Sequence, residues 1–134
     1  MTGGCYCGAV RYEVSVKPKL KAQCHCRECQ YLSGGGPNYF MLVDPQGFTY
    51  SMGTPRTFMR CDLSEPVTRE FCGDCGTGIL TRRLDQEEVV LKIGTLDDPS
   101  VFGASRIAIF MCDAQAFHHV PDGIPHFERL PPRP

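Results

Sequence analysis

Tryptophan, long apolar runs and an excess of positive charge are all missing from this chain of 134 residues. The longest apolar run, at residues 107–112, is far shorter than the roughly 20 residues that a membrane-spanning helix needs. Lysine and arginine number 14 against 15 aspartates and glutamates, so the formal net charge is −1. Such a balance provides no basic field for nucleic acid or for an anionic membrane surface. We therefore expect neither a membrane nor a nucleic-acid partner.

A secretion signal is also missing, because residues 1–5 form neither a cationic region nor an apolar signal core. We therefore expect a cytoplasmic protein, in which the nine cysteines are free thiols. An odd number of thiols in a reducing compartment indicates metal binding, thiol chemistry or both. The length, with 42% hydrophobic and 22% charged residues, is enough to bury a core. We expect a single domain over residues 1–134.

Short runs with a two-residue period predict strands rather than helices. In the clearest run, Val10, Tyr12, Val14 and Val16 alternate with polar residues. The other strand-like runs lie at residues 39–43, 48–52, 57–61, 67–71, 78–81, 89–93 and 105–112. Glycine- and proline-rich turns separate these runs. Residues 24–32 have room for one or two helical turns. The proline-rich tail 129–134 is expected to be extended. The pattern predicts a mainly β fold of antiparallel strands.

Seven of the nine cysteines fall into three groups. A pair of cysteines spaced by two residues can direct both sulfurs to one tetrahedral ion, and a following glycine lets the turn bend sharply. Thiolate-rich sites favour zinc, with a mononuclear iron or iron–sulfur site as the alternative. The three groups are Cys5-Tyr6-Cys7, Cys24-His25-Cys26-Arg27-Glu28-Cys29 and Cys72-Gly73-Asp74-Cys75.

Spacing alone leaves the grouping of these ligands open. Cys26 and Cys29 together with Cys72 and Cys75 would resemble a zinc ribbon. Seven ligands also divide into four, which make a closed structural site, and three, which leave a position open as catalytic sites do. The compact group that begins at Cys24 is the natural three-ligand set, because one short segment supplies all of it.

Five segments of the chain resemble the glutathione-dependent formaldehyde-activating enzyme family, which also includes the centromere protein V domain. The three cysteine motifs carry most of the likeness, and they occur in the family's order. The likeness extends from Gly3 to about Glu128. The five segments are residues 3–13, 24–30, 71–77, 94–99 and 121–127.

The resemblance implies stacked, twisted antiparallel sheets of the β-tent type with zinc knuckles. It also implies two zinc ions and a division of their ligands that replaces the ribbon pairing. Cys5, Cys7, Cys72 and Cys75 would hold a structural zinc, and Cys24, Cys26 and Cys29 a catalytic zinc. The chain departs from the family where Phe117-His118-His119 stands in a segment that often carries tryptophan.

The implied activity is that of a carbon–sulfur lyase or synthase. A zinc-bound thiolate, with glutathione as the expected thiol, would attack a small aldehyde such as formaldehyde to give S-hydroxymethylglutathione. One zinc ion carries a charge of +2 and three thiolates carry −3, so such a site has a formal charge of −1. This charge suits thiol binding better than water activation. The alternative function is a non-catalytic zinc module that binds a thiol adduct or a protein partner. Edge strands of such sheets often pair, so a homodimer is expected.

Several other residues are weaker candidates. His25, between two cysteines of the open set, is either an acid–base group or a residue that points away from the metal. His118 or His119 could line the pocket. Cys61 and Cys112 end strand-like runs, which indicates core thiols. The arginines that could pair with glutathione carboxylates are Arg27, Arg56, Arg60 and Arg106, and the sequence does not choose among them.

Overall fold

Strands dominate the computed structural model, which describes residues 1–132. A three-stranded sheet has the order β1-β2-β5, and a seven-stranded sheet has the order β10-β3-β4-β9-β8-β7-β6. The prediction of a mainly β fold with stacked sheets is confirmed. The strands are β1 Thr2–Gly4, β2 Arg11–Val14, β3 Leu20–Cys24, β4 Asn38–Val43, β5 Phe48–Met52, β6 Arg56–Phe58, β7 Thr68–Phe71, β8 Gly78–Arg82, β9 Val89–Lys92 and β10 Ile107–Ile109, and the helix is α1 Arg27–Ser33.

The main core lies between the two sheets. Tyr12 and Val14 of β2 belong to the same buried cluster as Met41 and Val43 of β4 and Leu91 of β9. Because neighbouring residues of a strand point to opposite faces, the residues between these face the other way. On the large sheet, residues of that opposite face form a second and smaller cluster together with Cys29 of α1. Its members from the sheet include Ala22, Cys24, Phe40, Leu42, Val90 and Ile109.

The mainly antiparallel arrangement predicted from the sequence has one exception, the strand β10. This edge strand runs parallel to β3, with Ile109 opposite Cys24. After β9 the chain crosses the sheet through residues 93–106, which contain two 3-10 turns, before it pairs at the far edge. A parallel pair requires a crossover of about that length, and no local pattern in the sequence announces it.

The hydrophobic pattern of the sequence does not predict two of the strands, β1 and β3. β1 contains Gly3 and Gly4, which have low strand propensity. β3 carries Lys21 and Gln23 beside Ala22, yet Gln23 is buried because it hydrogen-bonds to distant groups. Conversely, the predicted run 105–112 shortens to three residues, since Phe110 adopts a left-handed conformation (φ 56°, ψ 45°) and ends the strand.

The C-terminal segment packs against β10 and the turn that follows it. The backbone amides of Phe110 and Met111 donate to the carbonyls of Arg129 and Phe127, at 3.2 and 3.0 Å. In the described part of the predicted tail, residues 129–132, there is neither helix nor strand. Residues 133 and 134 of that prediction lie outside the described residues.

Candidate metal centres and the cavity beside them

The first cysteine cluster brings residues 5–7 together with residues 72–75 beside the core between the sheets. The Sγ atoms of Cys5, Cys7, Cys72 and Cys75 lie within 4.8 Å of one another. The Sγ atom of Cys7 is 3.6 Å from that of Cys5 and 3.7 Å from that of Cys72. Four sulfurs at about 2.3 Å from a tetrahedral zinc ion are about 3.8 Å apart. The cluster therefore has the donor type and the spacing for a closed four-thiolate site.

Two tight turns hold these four thiols. Gly8 and Gly76 follow the second cysteine of each pair and have positive φ angles of 81° and 77°, which glycine adopts without a Cβ clash. The backbone amide of Val10 donates to Cys5 Sγ at 3.2 Å. The hydroxyl of Thr77 lies 3.1 Å from Cys75 Sγ, and this contact lowers the pKa of Cys75 to about 6. These hydrogen bonds favour the thiolate forms of Cys5 and Cys75, which are the forms that a metal requires.

The second cluster forms where β3 passes into α1. Cys24 is the last residue of β3, Cys26 is the N-cap of α1, and Cys29 lies in its first turn. Their Sγ atoms also lie within 4.8 Å of one another. The amide of Cys29 donates to Cys26 Sγ at 3.4 Å, which turns this sulfur toward the helix. One short segment therefore supplies all three thiols, as its spacing predicts.

These three thiols cannot all ionise without a cation. Hydrogen bonding with Cys24 and Cys29 lowers the pKa of Cys26, and its interaction with Cys26 raises the pKa of Cys24 well above the usual range. Cys24 and Cys29 are buried, which further disfavours their charged forms. A metal ion removes this conflict, so the cluster fits a thiophilic metal.

A cavity of about 420 Å³ opens onto the second cluster. All three cysteines line it, and Phe40, Val90 and Ile109 provide apolar wall. Asn38, which is opposite Cys24 in the strand register, lines it as well. A volume of this size is typical of small-molecule sites. The second cluster thus faces a space for a ligand, whereas the first places Cys5 and Cys72 in the core and leaves Cys7 exposed.

A lysine lies behind the cavity wall. Lys92 Nζ donates to Asn38 Oδ1 at 3.0 Å. Burial lowers the pKa of Lys92, while the Cys29 thiol acts in the opposite direction. The charge of this ammonium group therefore lies beside the three thiols. No local pattern identifies Lys92 as a residue of the site, because only the pairing of β4 with β9 brings it there.

The arginines around the cavity differ from those expected. Of the four sequence candidates, only Arg27 is among the described residues that line it; Arg56, Arg60 and Arg106 are not. The cavity instead contains Arg69, Arg83 and Arg129. Arg69 pairs with Glu28 at 2.6 Å, and Arg83 with Asp85. Strand pairing and the C-terminal segment place these residues, so local sequence could not identify them.

The family model for "Glutathione-dependent formaldehyde-activating enzyme" matches residues 1–113. The chain belongs to this family. The resemblance seen in the cysteine motifs is thereby confirmed. The match includes both cysteine clusters and ends after the 3-10 turn at Met111–Asp113. Residues 114–132, which cover one side of the second cluster, lie beyond it.

A curated relative and a solved structure are also similar to this chain. A Halomonas elongata protein named "Putative glutathione-dependent formaldehyde-activating enzyme" is 31% identical over 84 residues, which are 59% of this chain and 54% of that protein. The chain thus matches about half the length of this relative. The crystal structure of a Rhodobacter sphaeroides protein superposes with a TM-score of 0.63 at 20% identity, over 78% of this chain and 97% of the other. That likeness concerns the fold alone.

The segment beyond the family match holds His25 in place. His25 is fully buried, and its Nε2 accepts from Gln23 Nε2 at 2.9 Å. The ring proton is then on Nδ1 and is donated to His118 Nδ1 at 2.9 Å. His118 Nε2 in turn donates to the Gly35 carbonyl at 2.8 Å. Both ring nitrogens of His25 are engaged, and the described cavity lining does not include it. We therefore propose a positioning role for His25 in place of the acid–base role.

Replacing His118 with alanine is expected to destabilise the fold by about 1–3 kcal/mol, because the buried Nδ1–H of His25 loses its acceptor. The measurement is urea unfolding of the metal-loaded protein. His126→Ala is the matched control, since His126 is exposed. Equal unfolding midpoints for the two variants would contradict the role given to His118.

The expectation that Cys61 and Cys112 are core thiols is wrong. Both are exposed, and neither belongs to a cluster within the described residues. Cys112 lies in the 3-10 turn after Phe110, so the early end of β10 carries it out of the sheet. Cys61 lies beyond the short edge strand β6. In each case the strand ends before the cysteine.

No helix in the part of the chain that the structure describes combines the length and apolar character of a membrane span.

Proposed function

We propose that this chain is a zinc-dependent carbon–sulfur lyase or synthase that joins glutathione to formaldehyde. One observation carries the proposal: three cysteine sulfurs, all within 4.8 Å of one another, line an open cavity of about 420 Å³. Membership of the family supports the choice of thiol and aldehyde. The expected product is the hemithioacetal S-hydroxymethylglutathione.

Cys24, Cys26 and Cys29 would hold the catalytic zinc. When bound by three thiolates, zinc offers a fourth position that accepts a thiol and lowers the pKa of that thiol. In the net reaction a bond forms between the thiol sulfur and the carbonyl carbon, and the thiol proton moves to the carbonyl oxygen. Nothing leaves, and no oxidant or reductant is needed.

The protein's own residues would prepare the cavity for these partners. Phe40, Val90 and Ile109 exclude water from one wall, which strengthens electrostatic interactions nearby. Three thiolates and one zinc carry a formal charge of −1, and the ammonium of Lys92 offsets it from behind Asn38. The cavity is larger than formaldehyde requires, so most of its volume is available to the thiol.

Cys5, Cys7, Cys72 and Cys75 would hold a second, structural zinc. These residues come from opposite parts of the chain, and the cluster includes buried Cys5 and Cys72. Four thiolates complete a tetrahedral ion and leave no position for substrate. We further propose that residues 1–134 form a single domain, that the free thiols are kept reduced in the cytoplasm, and that the protein forms a homodimer.

Cobalt substitution tests the proposed site, because thiolate-bound cobalt absorbs visible light in a manner that depends on its ligands. Glutathione is expected to change the spectrum saturably in the protein, and added formaldehyde to be consumed faster than in a protein-free control. An unchanged spectrum would contradict the open site. A spectral change without any gain in rate would leave the alternative function, a zinc module that binds thiols without catalysis. Metal analysis of the purified protein separates zinc from iron.

A further inference from the structure

The guanidinium of Arg129 is a cation of the site cavity that has no partner among the described residues. Arg129 lines the cavity together with the three cysteines. Within residues 1–132, its side chain has no hydrogen-bond or ion-pair partner. The other cavity arginines have partners. Arg69 binds Glu28, and Arg83 binds Asp85 through two hydrogen bonds of 2.9 Å. Arg27 donates to Gln30 Oε1 and lies over the ring of Tyr31.

The cavity carboxylates are engaged as well. Glu28 pairs with Arg69, and Asp113 Oδ2 accepts from the backbone amide of Arg27 at 3.1 Å. Asp113 therefore caps the start of α1. The lining has four arginines and two carboxylates, so its positive charge is not fully balanced by the carboxylates of the lining. An anionic group on the ligand would provide that balance.

The backbone of Arg129 is held firmly while its side chain is not. Its carbonyl accepts from the amide of Phe110 at 3.2 Å, and the carbonyl of Glu128 accepts from Cys112 at the same distance. These bonds fasten the C-terminal segment along the turn after β10. An anchored backbone with an unpartnered guanidinium is suited to bind a carboxylate, which it can meet with two parallel hydrogen bonds.

We infer that Arg129 binds a carboxylate of the incoming thiol and makes the site selective for anionic thiols. The inference rests on the proposed function, and it assigns to residues beyond the family match a part in substrate choice. Since Arg129 follows residue 113, the matched family segment does not itself supply this group. Thiol binding at the cysteines and carboxylate binding at Arg129 would fix the ligand at two points.

The test compares glutathione with its diethyl ester, which keeps the thiol but lacks both free carboxylates. Dissociation constants are measured by the visible spectrum of the cobalt-substituted protein. We expect the unaltered protein to bind glutathione about tenfold more tightly than the ester, the effect of one charge-assisted contact. Arg129→Gln should reduce this ratio to about twofold, and Arg129→Lys should restore part of it.

Arg106→Gln provides the matched control, because it removes the same charge from an exposed position that does not line the cavity. The ratio of its dissociation constants for the ester and for glutathione should equal that of the unaltered protein. Thermal unfolding checks that each variant retains its fold. If both thiols bind and Arg129→Gln leaves the ratio unchanged, the carboxylate site is refuted while the proposed function stands. If neither thiol alters the spectrum of any form, the proposed function itself fails and the inference fails with it.

Discussion

Replacing Cys72 with serine is expected to unfold most of the chain. Cys72 is only 1% exposed and belongs to the core between the two sheets. Its sulfur lies 3.7 Å from that of Cys7, which is 65 positions earlier in the sequence. Loss of this ligand would leave the zinc site incomplete beside the buried Cys5. The expected cost is at least about 4 kcal/mol, a large part of the stability of a typical domain.

Circular dichroism and urea unfolding of the zinc-loaded variant measure this effect. Cys61→Ser is the matched control, since it changes the same atom at an exposed position outside both clusters. The control should unfold at the midpoint of the unaltered protein. Removal of metal from the unaltered protein with a chelator should reproduce the Cys72→Ser result. A Cys72→Ser protein with an unchanged midpoint would refute the structural role of the four-cysteine cluster.

The cysteine groups could be predicted from sequence because each of them is local. The turn that brings Cys26 and Cys29 together spans only a few residues, and glycine at positions 8 and 76 permits the sharp bends of the other two groups. The pairing of Cys5 with Cys72 is not local, and it came from the resemblance to the family. Spacing alone allowed a ribbon pairing that the structure does not have.

The cavity wall could not be predicted in the same way. Lys92 contacts Asn38 only because β9 pairs with β4. Arg129 lines the cavity only because the C-terminal segment runs along β10 and the turn after it. Neither the strand pairing nor the path of the C-terminal segment can be recognised from hydrophobic periodicity in the sequence. Gln23 shows the same difficulty within one strand, since it is polar and yet buried by its bonds to His25 and the His119 carbonyl. Hydrophobic patterns report burial in apolar surroundings, and they miss polar groups that distant partners satisfy.

Replacing Cys26 with serine should separate activity from folding. Cys26 is only partly buried, and as the N-cap of α1 it accepts a hydrogen bond from the amide of Cys29. Serine is among the best N-cap residues, so its hydroxyl can accept the same bond. We therefore expect the free energy of unfolding to change by less than about 1 kcal/mol. Serine is nevertheless a much poorer zinc ligand than a thiolate, which should weaken glutathione binding by more than about 100-fold.

The contrast between the two cysteine variants tests the division of the ligands. Glutathione titration of the cobalt-substituted protein and urea unfolding are measured on both, with Cys112→Ser as the exposed control for the second cluster. If Cys26→Ser unfolds as fully as Cys72→Ser, the two clusters form one structural unit and the division is wrong. If Cys26→Ser folds and still binds glutathione with its original affinity, the three cysteines are not the thiol site. Loss of binding in a folded Cys26→Ser protein is the result that a catalytic zinc beside an independent structural zinc requires.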